Sequence, residues 1–203
     1  AVNPDPAHID GILLPFNVSQ AALAVHAVIN KQAKTRTITM AEALLNDGQS
    51  LLAFNDLFIG VKSHVSARYL IQQGDHQEHQ SSSGIIVSTG AGSTGWLSSV
   101  FNMANGVLNR FDKNAHHVSP FRLEWGEKKL IYVVREPFVS KSSTANIVCG
   151  YVTPDEPLVL HSEMPEGGVI FSDGVEADFL AFNAGAIATI RLSNKSTQLV
   201  YSI

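Results

Sequence analysis

The chain has a single cysteine among its 203 residues, so no disulfide within it can brace the fold. That residue, Cys149, follows Ile147 and Val148 and is expected to be a small, buried, unreactive core residue in a reducing, cytoplasmic setting. Charge is also scarce. Only 16% of residues are Asp, Glu, Lys or Arg, and the 14 cations are outnumbered by 18 anions. A net charge of −4 excludes a chain-wide electrostatic pull on nucleic acid. No apolar run approaches the roughly 20 residues of a membrane-spanning helix, so no membrane partner is expected. Nor does a basic stretch followed by an apolar one mark a secretory signal. With 45% hydrophobic residues the chain can build a core, which excludes a disordered tail, a collagen-like fibre and a coiled coil.

The chain opens Ala1-Val2-Asn3-Pro4-Asp5-Pro6, without Met. Two early prolines oppose a helix and favour an extended crossover, as in a domain cut from a longer protein. Asn17 and Gln20 form a capping-box pattern ahead of a helix over 21–33, with Leu23, Ala27 and Val28 on its apolar face. Strands are expected at 35–45, 51–61, 67–72 and 84–88, with an exposed polar loop at 74–83. A second helix follows Gly95, where Trp96, Val100, Met103, Val107 and Leu108 recur at spacings of three and four. Arg110 to Asn114 reads as loop, and from Phe121 the pattern is of short strands: 129–135, 146–152, 158–161, 169–171, 186–192 and 198–201. The fold class is therefore α+β: a β-rich, sandwich-like domain with about two helices.

The densest chemical signal is Gly84-Ile85-Ile86-Val87-Ser88-Thr89-Gly90-Ala91-Gly92-Ser93-Thr94-Gly95-Trp96. An apolar strand passes through hydroxyl residues and glycines into a helix. Such a turn can cradle an anionic or ribose-bearing ligand, or simply make a tight strand-to-helix connection. Gly90-x-Gly92-x-x-Gly95 meets the dinucleotide fingerprint literally, but Asp112 falls in apparent loop and no parallel βαβ units follow. A Walker A loop is excluded, because no lysine occurs between Lys62 and Lys113. Ala91-x-Ser93-x-Gly95 is a variant of the hydrolase nucleophile elbow, yet Asp155 and His161 lie too close together to complete a triad. His76 and His79 belong to a polar stretch with no third metal ligand nearby, and His116-His117 reads as surface loop. Arg135 is taken as structural rather than phosphate-binding, and Trp125 as core or interface.

Ser88-Thr89-Gly90-Ala91-Gly92-Ser93-Thr94-Gly95-Trp96 resembles the Ser-Thr-x-x-Gly-Ser-Thr-Ala-Tyr signature of NAD kinases. Its glycine and closing tryptophan look most like the mitochondrial-type branch. Ala53-Phe54-Asn55-Asp56 resembles the family's Ala-Leu-Asn-Glu/Asp segment, Phe171-Ser172-Asp173-Gly174 its Val-Asp-Gly strand, and Val2-Asn3 the segment leaving its first domain. The resemblance implies that residues 1–203 are the C-terminal, NAD-binding domain of a two-domain kinase. ATP and Mg²⁺ would serve the whole enzyme, and an absent N-terminal α/β domain would carry Gly-Gly-Asp-Gly. No Gly-Gly-Asp occurs here, so the chain holds no catalytic base, and no metal ligand is assigned to it. Asn55 and Asp56 would meet ribose hydroxyls; Ser88, Thr89, Gly92, Ser93 and Thr94 would line the nucleotide; Trp96 would lie beside the nicotinamide. Ser83 stands where many members have aspartate, which leaves room for another hydroxyl substrate, a lipid or sugar, or for a non-catalytic nucleotide-binding module. A homo-oligomer is expected, because part of a pocket leaves an apolar face to bury. A bulkier residue at Gly92 is expected to abolish binding with the fold nearly intact.

Overall fold

Two early prolines hold the first residues extended in the computed structural model, where β1 (Val2–Asn3) pairs in parallel with β2 (Phe16–Asn17). The structure describes residues 1–112, 116, 118 and 122–203; the loop expected at Lys113, Asn114 and His117, and the expected strand region's start at Phe121, lie outside them. By internal contacts the chain divides into two units, one of residues 1–38 and 196–203, the other of residues 39–195.

In the first unit the capping box forms as its residues dictate. The Asn17 side chain accepts from the Gln20 amide, and the Gln20 side chain accepts from the Asn17 amide, each at 3.1 Å. These bonds cap a short 3₁₀ turn that leads into α1 (Ala21–Ile29). The helix ends earlier than its composition predicts, because Lys31 takes a positive φ of 56°. Its buried face also differs from the expected one. Ala24 and Ala27 are covered, whereas Leu23 and Val28 are exposed, so the helix packs by its smallest side chains.

The second unit is built from strands: β3 (Lys34–Leu45), β4 (Ser50–Ala53), β5 (Asp56–Val61), β6 (Ala67–Gln73), β7 (His76–Ser82), β8 (Ile85–Ser88), β9 (Leu130–Val134), β10 (Cys149–Val152), β11 (Leu158–Ser162), β12 (Gly168–Ser172), β13 (Val175–Ala181) and β14 (Ile187–Ser202), of which β3 and β14 have residues in both units. They form two six-stranded sheets, ordered β4-β3-β14-β11-β6-β7 and β10-β9-β8-β5-β12-β13. Every strand pairing of the second sheet is antiparallel, so the parallel βαβ unit of a dinucleotide fold is absent from it. Alternation sends Leu57, Ile59, Ile85, Val87, Leu130, Tyr132 and Ile170 of that sheet inward. There they share one core with Ala41, Tyr69, Ile71, Leu158, Leu160 and Ile190 of the first. Each fully buried Leu or Ile contributes about 1.5–3 kcal/mol. The α+β, sandwich-like class with two α-helices is what the described residues adopt.

The second sheet has a second apolar face, and this is what positions the site. Ile131 and Val133 point away from the shared core and pack with Leu97, Val100 and Phe101 of α2 (Trp96–Phe111). That double burial explains why β9 is apolar throughout. Among the described residues no helix is long and apolar enough to cross a membrane.

Four expectations need correction. The polar stretch at 74–83 is no loop: β7 completes a hairpin with β6, and Gln80 and Ser82 point inward to hydrogen-bond the buried Tyr69 hydroxyl at 3.1 and 2.6 Å. The 51–61 strand is broken at Phe54-Asn55. Helix α2 continues through Arg110 and Phe111, which read as loop. Cys149 is exposed, because it stands opposite Val133 on the sheet face turned away from the shared core, and β10 is the outermost strand there. Two more differences are of extent. The segments at 186–192 and 198–201 are one strand, β14, and β13 is a further strand, its largely exposed pattern giving no apolar alternation in sequence.

Candidate functional site

The glycine-rich turn begins where β8 ends. Ser88 and Thr89 are fully buried, Ser93 is 1% exposed, and the chain passes through a 3₁₀ turn at Gly92–Thr94 into α2. Three hydroxyls are committed to the turn itself. Thr89 Oγ1 donates to the Phe54 carbonyl at 2.6 Å and accepts the Gly92 amide at 3.3 Å; Ser93 Oγ donates to the Gly90 carbonyl at 2.8 Å; Ser88 Oγ donates to the Thr89 carbonyl at 3.2 Å. Thr94 and Trp96 are half-buried. Gly92 owes its identity to the neighbouring chain. A Cβ there would stand 2.1 Å from the Asn55 carbonyl oxygen, so the glycine is required by backbone packing. That contact revises the expectation of an intact fold on substitution.

The same backbone carries the Asn55-Asp56 pair. The Asn55 carbonyl accepts the Thr89 amide at 2.9 Å, which locks the break between β4 and β5 onto the glycine turn. From the far side the Asp173 carboxylate accepts the amides of Phe54, Asn55 and Asp56 at 3.0, 2.6 and 3.3 Å. Asp173 and Gly174 have φ of 53° and 74°, the left-handed pair that a two-residue type I′ hairpin between β12 and β13 demands. With the amides thus satisfied, the Asn55 amide and the Asp56 carboxylate have no side-chain hydrogen bond to any described residue. Asp56 is 8% exposed, and burial, with the nearby Asp173 charge added, pushes its carboxyl up to about 6. Neither side chain is sealed from solvent, so the Asn55 amide and the Asp56 carboxylate stay open to the hydroxyl groups of a ligand.

Strand alternation puts Asp56 and Phe58 on the same face of β5, the face turned away from the shared core. There Phe58 stacks on Trp96, centroids 5.6 Å apart and planes 10° off parallel, and on Phe171 at 4.9 Å. Beside these rings lies a cavity of about 460 Å³ bordered by Lys62, Arg135 and Glu176. The structure thus gathers Asn55, Asp56, Ser88, Thr89, Gly92, Ser93, Thr94 and Trp96 around one turn and one sheet face. A flat aromatic surface stands next to a polar pair able to accept from and donate to vicinal hydroxyls.

The fold is similar to that of an NADH kinase. The crystal structure of yeast NADH kinase complexed with NADH matches with a TM-score of 0.67 and 16% sequence identity, over 95% of this chain. The chain spans about half of that one, 52% of its length. No family model matches the sequence, and no curated protein does.

Several residues that shape the site were not assigned to it from sequence: Phe58, Phe171, Lys62 and, as a clamp rather than a motif, Asp173. The Asp-Gly dipeptide between apolar runs was the available signal for the last of these. Ser83 donates a hydrogen bond to Glu136, so a carboxylate does stand at that position, brought from the end of β9. His79 pairs with Glu163 at 2.7 Å, and His116 is exposed. Trp125 is half-buried, and its carbonyl accepts the Thr39 amide at 2.8 Å. Among the described residues no group of three metal-ligating side chains occurs.

Proposed function

We propose that the chain is the NAD-binding domain of an NAD kinase-like enzyme that transfers phosphate from ATP to the adenosine ribose 2′-hydroxyl of NAD. The observation that carries this reading is the Asn55-Asp56 pair: half-buried to buried, free of side-chain partners, and held by Asp173 beside the glycine turn. A ribose diol fits such a pair. The Asn55 amide donates to one hydroxyl while the Asp56 carboxylate accepts from the other. Trp96, with Phe58 and Phe171 behind it, offers its ring to a nicotinamide or adenine plane. Ser88, Thr89, Gly92 and Ser93 contribute by fixing the backbone of the turn, so that its shape does not rely on the ligand, and half-buried Thr94 would line the nucleotide beside them.

The base and the phosphoryl donor's site belong to an α/β domain outside these residues. That domain is the chain's expected partner, and a homo-oligomer is its expected assembly, in the cytoplasm. Among the described residues no three metal-ligating side chains meet that could cage Mg²⁺, and the Asp173 carboxylate is occupied by three amides. The glycine and tryptophan of the signature, Gly90 and Trp96, are the ground for preferring the mitochondrial-type branch. Transfer to a lipid or sugar hydroxyl, or nucleotide binding without catalysis, are the other readings of the same pair. A serine hydrolase is disfavoured because the Ser93 hydroxyl is buried and donates to the Gly90 carbonyl.

Calorimetric titration of NAD and NADH into the chain tests the reading. Saturable binding that Asn55→Ala weakens supports it. A folded chain with no affinity for either nucleotide refutes it.

A further inference from the structure

We infer that the groove between α2 and the β9–β10 edge binds a fatty carboxylate, with its chain along the groove and its carboxylate at Arg135. The groove encloses about 650 Å³ and is distinct from the aromatic cavity, although Trp96 and Arg135 border both. Its walls are Val100 and Met103 from α2, Ile131 and Val133 from β9, and Val148 and Cys149 leading into β10. This volume lies within the roughly 300–1,000 Å³ range of small-molecule sites, and its walls are almost entirely apolar. Met103 is 52% exposed, so the groove is open along the helix rather than sealed.

Charge decides which apolar molecule it fits. Arg135 closes one end with its guanidinium 5.4 Å from the Trp96 ring centroid. Among the described residues that guanidinium has no carboxylate partner and no hydrogen bond. Its neighbour Glu136, which also borders the groove, accepts the Ser83 hydroxyl instead of pairing with it. An unpaired, half-buried cation at the mouth of an apolar channel matches a single anionic head on a linear apolar tail. A nucleotide does not, because apart from the Ser99 and Tyr151 hydroxyls the walls are apolar, and a single cation is too little for its phosphates. Arg135 is thereby given a ligand-facing role instead of the structural one its position suggested.

Cys149 provides a reporter that needs no enzymatic activity, since it is exposed and lies in the groove wall. The rate of its alkylation by a neutral maleimide is measured with dodecanoate or hexanoate, both kept monomeric, and with dodecanol. Dodecanoate is expected to give saturable protection, and hexanoate far less, since each added methylene tightens binding by up to about fourfold. Dodecanol should protect more weakly than dodecanoate. Arg135→Gln should weaken dodecanoate about tenfold while leaving dodecanol unchanged, whereas Met103→Glu, at an exposed helix position, should abolish protection by both. Equal alkylation rates with and without dodecanoate would overturn the inference, as would equal protection by hexanoate. Protection seen only with lipid vesicles would overturn it too, and an Arg135→Gln protein that still prefers the carboxylate would refute the placement of the head.

Discussion

Gly92→Ala is the sharpest test of how the turn is built. The added Cβ would lie 2.1 Å from the Asn55 carbonyl oxygen, 2.6 Å from its carbon and 2.8 Å from Ser88 Oγ. Carbon–oxygen contacts settle near 3.3–3.6 Å, so the carbonyl must retreat by about 1 Å. The retreat breaks the 2.9 Å bond that this carbonyl accepts from the Thr89 amide. Overpacking of this kind costs about 1–3 kcal/mol and the lost bond about 1 more, giving roughly 2–4 kcal/mol. Gly92 is outside the left-handed region, so no backbone strain is added. For a chain of this size each kcal/mol lowers the melting temperature by about 2–4 °C, and the expected loss is about 4–16 °C. Thermal melts followed by circular dichroism read it directly, alongside NAD titration. A variant that melts within about 2 °C of the parent would refute the packing argument, whatever its affinity.

Asn55→Ala removes an amide that no described side chain engages, so it should weaken NAD by about 1–3 kcal/mol in calorimetry with the melting temperature unchanged. Asp56, held at about 6 against its ordinary 3.8, contributes stability that is complete below about pH 3.8 and lost as pH rises through 6, on the order of 3 kcal/mol. Asp56→Asn should therefore melt higher than the parent at pH 7 and flatten that part of the pH profile; identical profiles would count against the assignment. Partial burial pushes the Glu78 carboxyl up, but hydrogen bonds from Thr144, Ile147, Gln80 and Asn146 together hold it at about 2. Its contribution should persist above about pH 4.5 and vanish as pH falls through 2, and Glu78→Ala should cost about 1–2 kcal/mol in a denaturant melt. Cys149 should react readily with a thiol reagent under native conditions, and a half-time as long as that of global unfolding would contradict its edge-strand position.

The class of fold was legible because its signals are local and additive. Apolar runs at β6, β8, β9 and β11, alternating in β6 and β11 and continuous in β8 and β9, fall where the strands form, and Asn17-x-x-Gln20 caps the 3₁₀ turn that leads into the expected helix. The errors share one physical cause: a residue whose partner lies far along the chain. Polar β7 reads as loop until Gln80 and Ser82 are seen satisfying Tyr69 inside the sandwich. Ile147-Val148-Cys149 reads as core until β10 is found at a sheet edge. The site divides in the same way. Hydroxyls, glycines and the Asn-Asp pair are contiguous motifs, but their division into turn-builders and open side chains depends on contacts between residues 54–56 and 88–94. The stacking of Phe58 and Phe171 beside the polar pair is invisible in sequence, because an aromatic on a strand reads as core on either face.

The clamp made by Asp173 sets a schedule for the nascent chain. Residues 54–56 leave the ribosome more than a hundred residues before the carboxylate that will receive their amides, and closing so long a loop carries an entropic cost that grows slowly with its length. Until that carboxylate arrives, the corner that presents Asn55 and Asp56 has three amides with nowhere to go except water or a wrong partner. Synthesis therefore separates folding of the early hairpins from maturation of the site, and a chain halted before residue 173 would hold the β6–β7 hairpin while lacking β14, which joins β3 to β11, and its polar pair would stay unformed. Such a fragment would be a folding intermediate by construction rather than by accident.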